Sequence, residues 1–218
     1  EVPYYISQGF FVPQKSIDPS KPMVAVTFDD GPGLYTNIIL DALEKYNVHA
    51  TFFVLGQLVS KYPQTIKREY SLGCEIGNHS YSHARLTALN YNSVSSQISK
   101  TSSKIYNVTG VKPKLCRPPY GSYNNTTKNA SGMPLILWSI DTLDWKTRNA
   151  DSTVNAVLSS VKDGDIILMH DIYKPSADAA VRIIPKLLSK GYQLVTVSEM
   201  AEYKGKALSA GKTYGRIK

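Results

Sequence analysis

Met23-Val24-Ala25-Val26-Thr27-Phe28-Asp29-Asp30-Gly31-Pro32 runs through uncharged residues into two adjacent carboxylates and an immediate turn. Successive strand residues point to opposite faces, so a run apolar on both faces describes a strand covered on both sides, as in a parallel sheet under helices. Residues 37–46 then show helical period, with Ile38, Leu40 and Leu43 on the apolar stripe, and residues 50–54 form the next expected strand. Further strands are expected at 74–78, 114–117, 135–139, 165–169 and 193–197, with helices at 93–106, 152–161 and 177–190. That alternation indicates an α/β fold, and about seven or eight such strands suggest a barrel.

The chain has 218 residues, 42% hydrophobic and 10% aromatic, enough to bury one core, so a single domain is expected. A net charge of +8 favours acidic partners. No zinc-finger spacing or RNA-binding aromatic signature accompanies it, so an anionic cell-wall polymer suits this charge better than nucleic acid. No apolar run approaches the roughly 20 residues of a membrane span. Cys74 and Cys116 lie in expected strands and read as core residues rather than a bridge. Trp138 also reads as core, and His49, with no acidic neighbour in sequence, as an exposed bystander.

The residues able to carry chemistry fall at carboxyl ends of expected strands, where barrel enzymes place their sites. Asp29 and Asp30 end the first, His79 follows the third, Arg117 ends the fourth and His170 ends a late one. His79 and His83 are four apart, a spacing that on a helix brings two imidazoles to one face. Gly31-Pro32-Gly33 is expected to turn the chain so that Asp29 and Asp30 reach one cavity. Metal-assisted hydrolysis of an amide or ester needs three protein ligands with an open position, a base for the attacking water and an acid for the leaving group. Asp30, His79 and His83 fit the ligand set, which suits zinc first and cobalt second, and Asp29 remains as base. Taken singly, an Asp-Asp at a strand end is more often a cap, and His-x-x-x-His occurs by chance. Asp141 and Asp171 stay ambiguous between supporting such a site and capping.

Five motifs in order carry a resemblance: Thr27-Phe28-Asp29-Asp30-Gly31-Pro32, His79-Ser80-Tyr81-Ser82-His83, Arg117-Pro118-Pro119-Tyr120-Gly121, Asp141-Thr142-Leu143-Asp144-Trp145 and Leu168-Met169-His170. Together they resemble the polysaccharide deacetylases, carbohydrate esterase family 4 with its NodB-like domain. The resemblance implies a distorted (β/α) barrel and metal-dependent removal of acetyl groups from glycans. It further implies that Asp29 is the base, tethered by Arg117, and that Asp30, His79 and His83 hold one divalent ion. His170 would be the general acid, paired with Asp144. The Tyr120 backbone N–H would help bind the oxyanion, and Trp145 and Leu168 would wall the acetyl pocket.

On this reading residues 1–20, with Pro3, Pro13 and Pro19, form an extended N-terminal arm, 21–205 the deacetylase domain and 206–218 a basic, solvated C-terminal tail. The expected substrate is N-acetylglucosamine in peptidoglycan, and the expected protein a monomer at the cell wall or outside the cell, with any signal or anchor segment absent from this chain. Acetylxylan esterase is the second reading and chitin or chitooligosaccharide deacetylase the third. A glycan-binding protein without turnover is the alternative of a different class.

Overall fold

The computed structural model describes residues 5–7, 10–12 and 16–218. Two short strands, β1 (Tyr5–Ser7) and β2 (Phe10–Val12), pair antiparallel within the stretch expected as an extended arm, whose other residues before Ser16 lie outside those described. The elements that follow are β3 (Met23–Asp29), α1 (Thr36–Tyr46), β4 (Thr51–Val54), α2 (Gly56–Val59), α3 (Pro63–Ser71), β5 (Glu75–Asn78), α4 (Tyr91–Thr109) and α5 (Asn125–Ser131). The chain continues with β6 (Leu135–Ile136), β7 (Ile140–Asp141), α6 (Asp144–Thr147), α7 (Ala150–Leu158), β8 (Ile166–His170), α8 (Lys174–Ser189), β9 (Gln193–Leu194), α9 (Val197–Tyr203) and β10 (Thr213–Tyr214).

A parallel path runs β7-β8-β3-β4-β5 and continues through single-residue bridges from Asn78 to Cys116 and from Cys116 to Leu135 of β6. This is an α/β single domain with a distorted (β/α) barrel, as the alternation of elements indicated. The expected strand at 114–117 survives only as those bridges at Cys116, because Pro113, Pro118 and Pro119 leave no room for a longer ladder. Residues along β3 divide by parity. Val24, Val26 and Phe28 pack under the helices, while Met23 and Ala25 join the barrel interior with Phe53, Ile136 and Ile166. Thr27 and Asp29 share the inward parity, so the strand delivers Asp29 to the mouth of the barrel.

Three expectations are corrected. Residues 206–218 are not a solvated tail: β10 pairs parallel with β6, Ile217 is buried, and Arg216 pairs with the fully buried Asp165. His49 is buried rather than exposed, and its Nδ1 lies 2.8 Å from Glu199 Oε1, a partner 150 residues away that no local pattern reveals. Trp138 is half-buried against the interior cluster and lines the functional cleft instead of closing into core. Cys74 and Cys116 are buried free thiols, as expected.

Candidate functional site

Asp29, Asp30, His79, His83, Tyr120, Trp145, Leu168 and His170 line one cleft of about 380 Å³ at the carboxyl ends of the strands. Arg117 and Asp144 lie just behind it, each bonded to a lining residue. All the residues singled out from the sequence are therefore brought to one place, which neither an isolated Asp-Asp nor an isolated His-x-x-x-His could guarantee.

The loops achieve this with backbone conformations that sequence period does not reveal. His79 and His83 are not on a helix; they follow β5 in a loop where Ser80 (φ 69°) and His83 (φ 58°) are left-handed. Asn78 accepts from the Ser80 N–H at 2.9 Å and anchors through its own amide to the Ile98 carbonyl, while Gln97 accepts from the N–H groups of Tyr81 and Ser82. The turn after β3 begins one residue earlier than expected, at Asp30 itself (φ 73°), which re-aims a side chain that strand parity would have pointed outward. Tyr120 (φ 61°) and Leu143 (φ 53°) are left-handed as well. Non-glycine residues held in this region cost of order 1–3 kcal/mol each and gather where surrounding structure over-determines them. Here they gather at the cleft.

Arg117 is fully buried, and all three of its nitrogens donate. Nε donates to the Ile136 carbonyl at 3.1 Å, Nη2 to the Leu137 carbonyl at 2.9 Å, and Nη1 to both Thr27 Oγ1 and Asp29 Oδ1 at 2.7 Å. The guanidinium also stacks on Phe53, 4.2 Å from the ring centre, and faces Trp138 at 5.7 Å. One oxygen of Asp29 is thereby fixed, and the other lies 3.7 Å from His79 Nε2.

Asp30, His79 and His83 each offer one atom within 4.8 Å of the others. Asp30 Oδ1 is 3.4 Å from His79 Nε2 and 3.2 Å from His83 Nε2, yet it is buried and accepts no hydrogen bond among the described residues. His79 Nδ1 lies 2.7 Å from the Arg117 carbonyl, so that nitrogen carries the proton and Nε2 turns its lone pair toward Asp30, the orientation a metal ligand needs. Burial opposes charge on the Asp30 carboxyl, but His79 and His83 outweigh it and hold the group at about 2. His79 is raised despite its burial, because Asp29 and Asp30 attract positive charge to it, whereas burial dominates at His83 and lowers it. A buried, hydrogen-bond-free carboxylate oxygen facing two imidazoles in an anionic pocket fits a divalent cation.

At the start of α6 the Asp144 carboxylate accepts from the His170 backbone N–H of β8 at 2.8 Å and contacts His170 Nδ1 at 2.9 Å. It accepts from the Trp145 N–H as well. Burial alone would lower the His170 imidazole; its bond to Asp144 and the charges of Asp144, Asp29 and Asp30 raise it to about 9. Asp171, left ambiguous by its sequence setting, is fully buried, accepts from Thr36 at 2.5 Å and packs against Gly31, where a β-carbon would collide with its carboxylate. Burial pushes Asp171 up to about 7. Asp141 both lines the cleft and accepts from the Leu143 N–H. Tyr173, Gln97 and Asn78 were not singled out, and Thr27 entered only as the head of the first motif. Asn78 sits next to His79 in sequence, but Tyr173 and Gln97 carry no local signal.

A family model for polysaccharide deacetylase matches residues 16–133. The chain is 48% identical over 192 residues to the peptidoglycan-N-acetylmuramic acid deacetylase PdaC of Bacillus subtilis, covering 88% of this chain and 41% of that protein. The structure of PdaC superposes with a TM-score of 0.85 over 87% of this chain and 94% of that one. This chain is 41% identical over 211 residues to the peptidoglycan-N-acetylglucosamine deacetylase PgdA of Listeria monocytogenes, covering 96% of this chain and 45% of that protein. A family 4 acetyl xylan esterase from Clostridium thermocellum, solved with a cobalt ion, superposes with a TM-score of 0.85 at 35% identity, over 89% of this chain and 98% of that one. The chain thus spans less than half the length of PdaC and PgdA. With the barrel, the five motifs and these matches in agreement, the chain belongs to the polysaccharide deacetylase family, carbohydrate esterase family 4.

Proposed function

We propose that this chain is a metal-dependent deacetylase that hydrolyses the N-acetyl group of N-acetylglucosamine in peptidoglycan and releases acetate, acting at the cell wall. The observation that carries the reading is that Asp29 and His170, register partners on adjacent strands, line the same cleft as Asp30, His79 and His83. A divalent ion held by Asp30, His79 and His83, zinc first and cobalt second, would acidify a water and polarise the acetyl carbonyl.

Asp29 then acts as base through Oδ2, since Oδ1 is engaged by Arg117. Arg117 keeps that carboxylate aimed. Negative charge developing on the carbonyl oxygen needs a fixed donor, for which the backbone N–H of Tyr120 is the family's counterpart. The tetrahedral intermediate must expel nitrogen, and an amine anion is a very poor leaving group. His170 supplies the proton from Nε2, because Nδ1 is held by Asp144, and that pairing keeps the imidazolium charged at neutral pH. Trp145 and Leu168 wall the acetyl pocket beside it. An acid held this firmly suits amide cleavage more than ester cleavage, whose alkoxide leaves readily.

The names of PdaC and PgdA support peptidoglycan as the polymer, and the Clostridium thermocellum esterase supports acetylxylan as the second reading. The test is acetate release from peptidoglycan fragments, chitooligosaccharides and acetylxylan, with zinc supplied. Fastest release from peptidoglycan fragments is expected. Fastest release from acetylxylan would overturn the substrate, and glycan binding without acetate from any of the three would overturn the activity.

A further inference from the structure

The chain has six arginines, and four of them, Arg68, Arg117, Arg182 and Arg216, pair with an aspartate or glutamate. The other two, Arg85 and Arg148, meet no carboxylate among the described residues, and both stand exposed at the rim of the cleft. Their settings match. The Arg85 guanidinium carbon lies 4.6 Å from the centre of the Tyr120 ring, which packs edge-on against His83. The Arg148 guanidinium carbon lies 3.1 Å from the centre of the Tyr173 ring, which tilts against His170. Arg148 Nε also donates to the Trp145 carbonyl at 2.7 Å. Tyr120 and Tyr173 both line the cleft, and their loops lie on either side of β3 in the strand order.

A guanidinium stacked on an aromatic ring keeps its N–H edge free and loses little freedom when it takes a carboxylate in two-pronged geometry. Two such groups, one on each flank, suit a polymer whose charges fall on both sides of the reacting sugar.

We propose that Arg85 and Arg148 set substrate choice by binding carboxylates on the sugars that flank the reacting acetamido sugar, so that a glycan with alternating lactyl ethers is preferred to an uncharged one. This rests on the deacetylase reading and narrows its substrate to carboxylated amino-sugar polymers. Glycan strands of alternating N-acetylglucosamine and N-acetylmuramic acid, freed of peptide so that the lactyl carboxylates are bare, serve as the charged probe. Chitooligosaccharides of equal length serve as the neutral one.

In Arg85→Gln and Arg148→Gln the ratio of kcat/KM for charged over neutral glycan is expected to fall roughly three- to ten-fold each, through KM, and further in the double variant. Added salt should weaken wild-type use of the charged strands and affect the double variant less. Arg182→Gln, which removes a guanidinium already paired with Asp151, should leave the ratio unchanged. A ratio unchanged in the double variant, or an equal loss on both glycans, overturns the proposal while leaving the deacetylase reading intact. If neither glycan yields acetate, that reading fails instead. Calorimetric Kd values for the same two probes then decide the arginines alone: selective weakening toward the charged strands supports them, and no selectivity refutes them.

Discussion

Asp29 and His170 are register partners on the adjacent parallel strands β3 and β8, and they are tethered to groups of opposite charge, Asp29 to the Arg117 guanidinium and His170 to the Asp144 carboxylate. Partners in register share a face of the sheet, with strands about 4.8 Å apart, so the carboxylate and the imidazole stand side by side at the mouth of the barrel. Each keeps its second polar atom, Asp29 Oδ2 and His170 Nε2, clear of that tether. The candidate ligands lie at the ends of β3, which leads into Asp30, and of β5, which leads into His79 and His83.

Asp29→Asn should lower acetate release by on the order of 100- to 10,000-fold while leaving bound metal unchanged, measured by kcat alongside elemental analysis. Arg117→Ala should do more harm to the fold. It removes a fully buried cation that satisfies Asp29, Thr27 and two carbonyls, at a cost of roughly 3–5 kcal/mol, read as a shift in denaturant midpoint. Equal stability of Arg117→Ala and wild type would contradict this account of the tether.

The His170 imidazole, raised to about 9, must be protonated to act, so the alkaline limb of the kcat profile should fall as pH rises through that region. Asp144→Asn removes the cause and should move the limb down toward the ordinary imidazole value near 6.5. The sign for stability is the same. A folded value above the unfolded one gives stabilisation that is complete below about 6.5 and lost as pH rises through about 9. An unmoved limb in Asp144→Asn would show that His170 is not the titrating acid.

How much of this was legible in the chain differs between elements. The apolar strand at 23–28 and the helices at 37–46 and 177–190 follow from period alone, because both faces of β3 are covered and the apolar stripes of α1 and α8 join its outer face in one core cluster. Asp29, Asp30, His79 and His83 could be grouped from their places at strand ends, whereas the pairing of His170 with Asp144 was legible only through motif order. What hid the geometry was backbone: left-handed Asp30, Ser80, His83, Tyr120 and Leu143 break the periodicities on which such reading depends. His49 and Glu199, or Arg216 and Asp165, are long-range pairs whose partners no window of sequence contains.

Deleting residues 206–218 should destabilise the domain by at least about 2 kcal/mol, since it exposes the neighbours of Ile217, removes β10 from β6 and strips Arg216 from buried Asp165. Thermal unfolding reads this directly. An unchanged midpoint would return the segment to the status of a solvated tail.

Glu199→Gln should cost about 1–2 kcal/mol without changing kcat, because the His49 contact lies near the amino ends of β4 and β5, away from the cleft. Burial would raise the Glu199 carboxyl, but His49 holds it below its ordinary value. Its contribution is therefore present above the unfolded carboxylate value near 4.3 and lost as pH falls through the folded one. Acid unfolding that is identical in Glu199→Gln and wild type would refute the pair's role.

The most direct test of the metal-centred mechanism is acetate release from peptidoglycan fragments before chelation, after it, and during stepwise return of zinc. The mechanism predicts loss to background and recovery that saturates at one equivalent of ion in the wild type, with no recovery in His79→Ala. Acetate release that persists undiminished after complete removal of metal would contradict it.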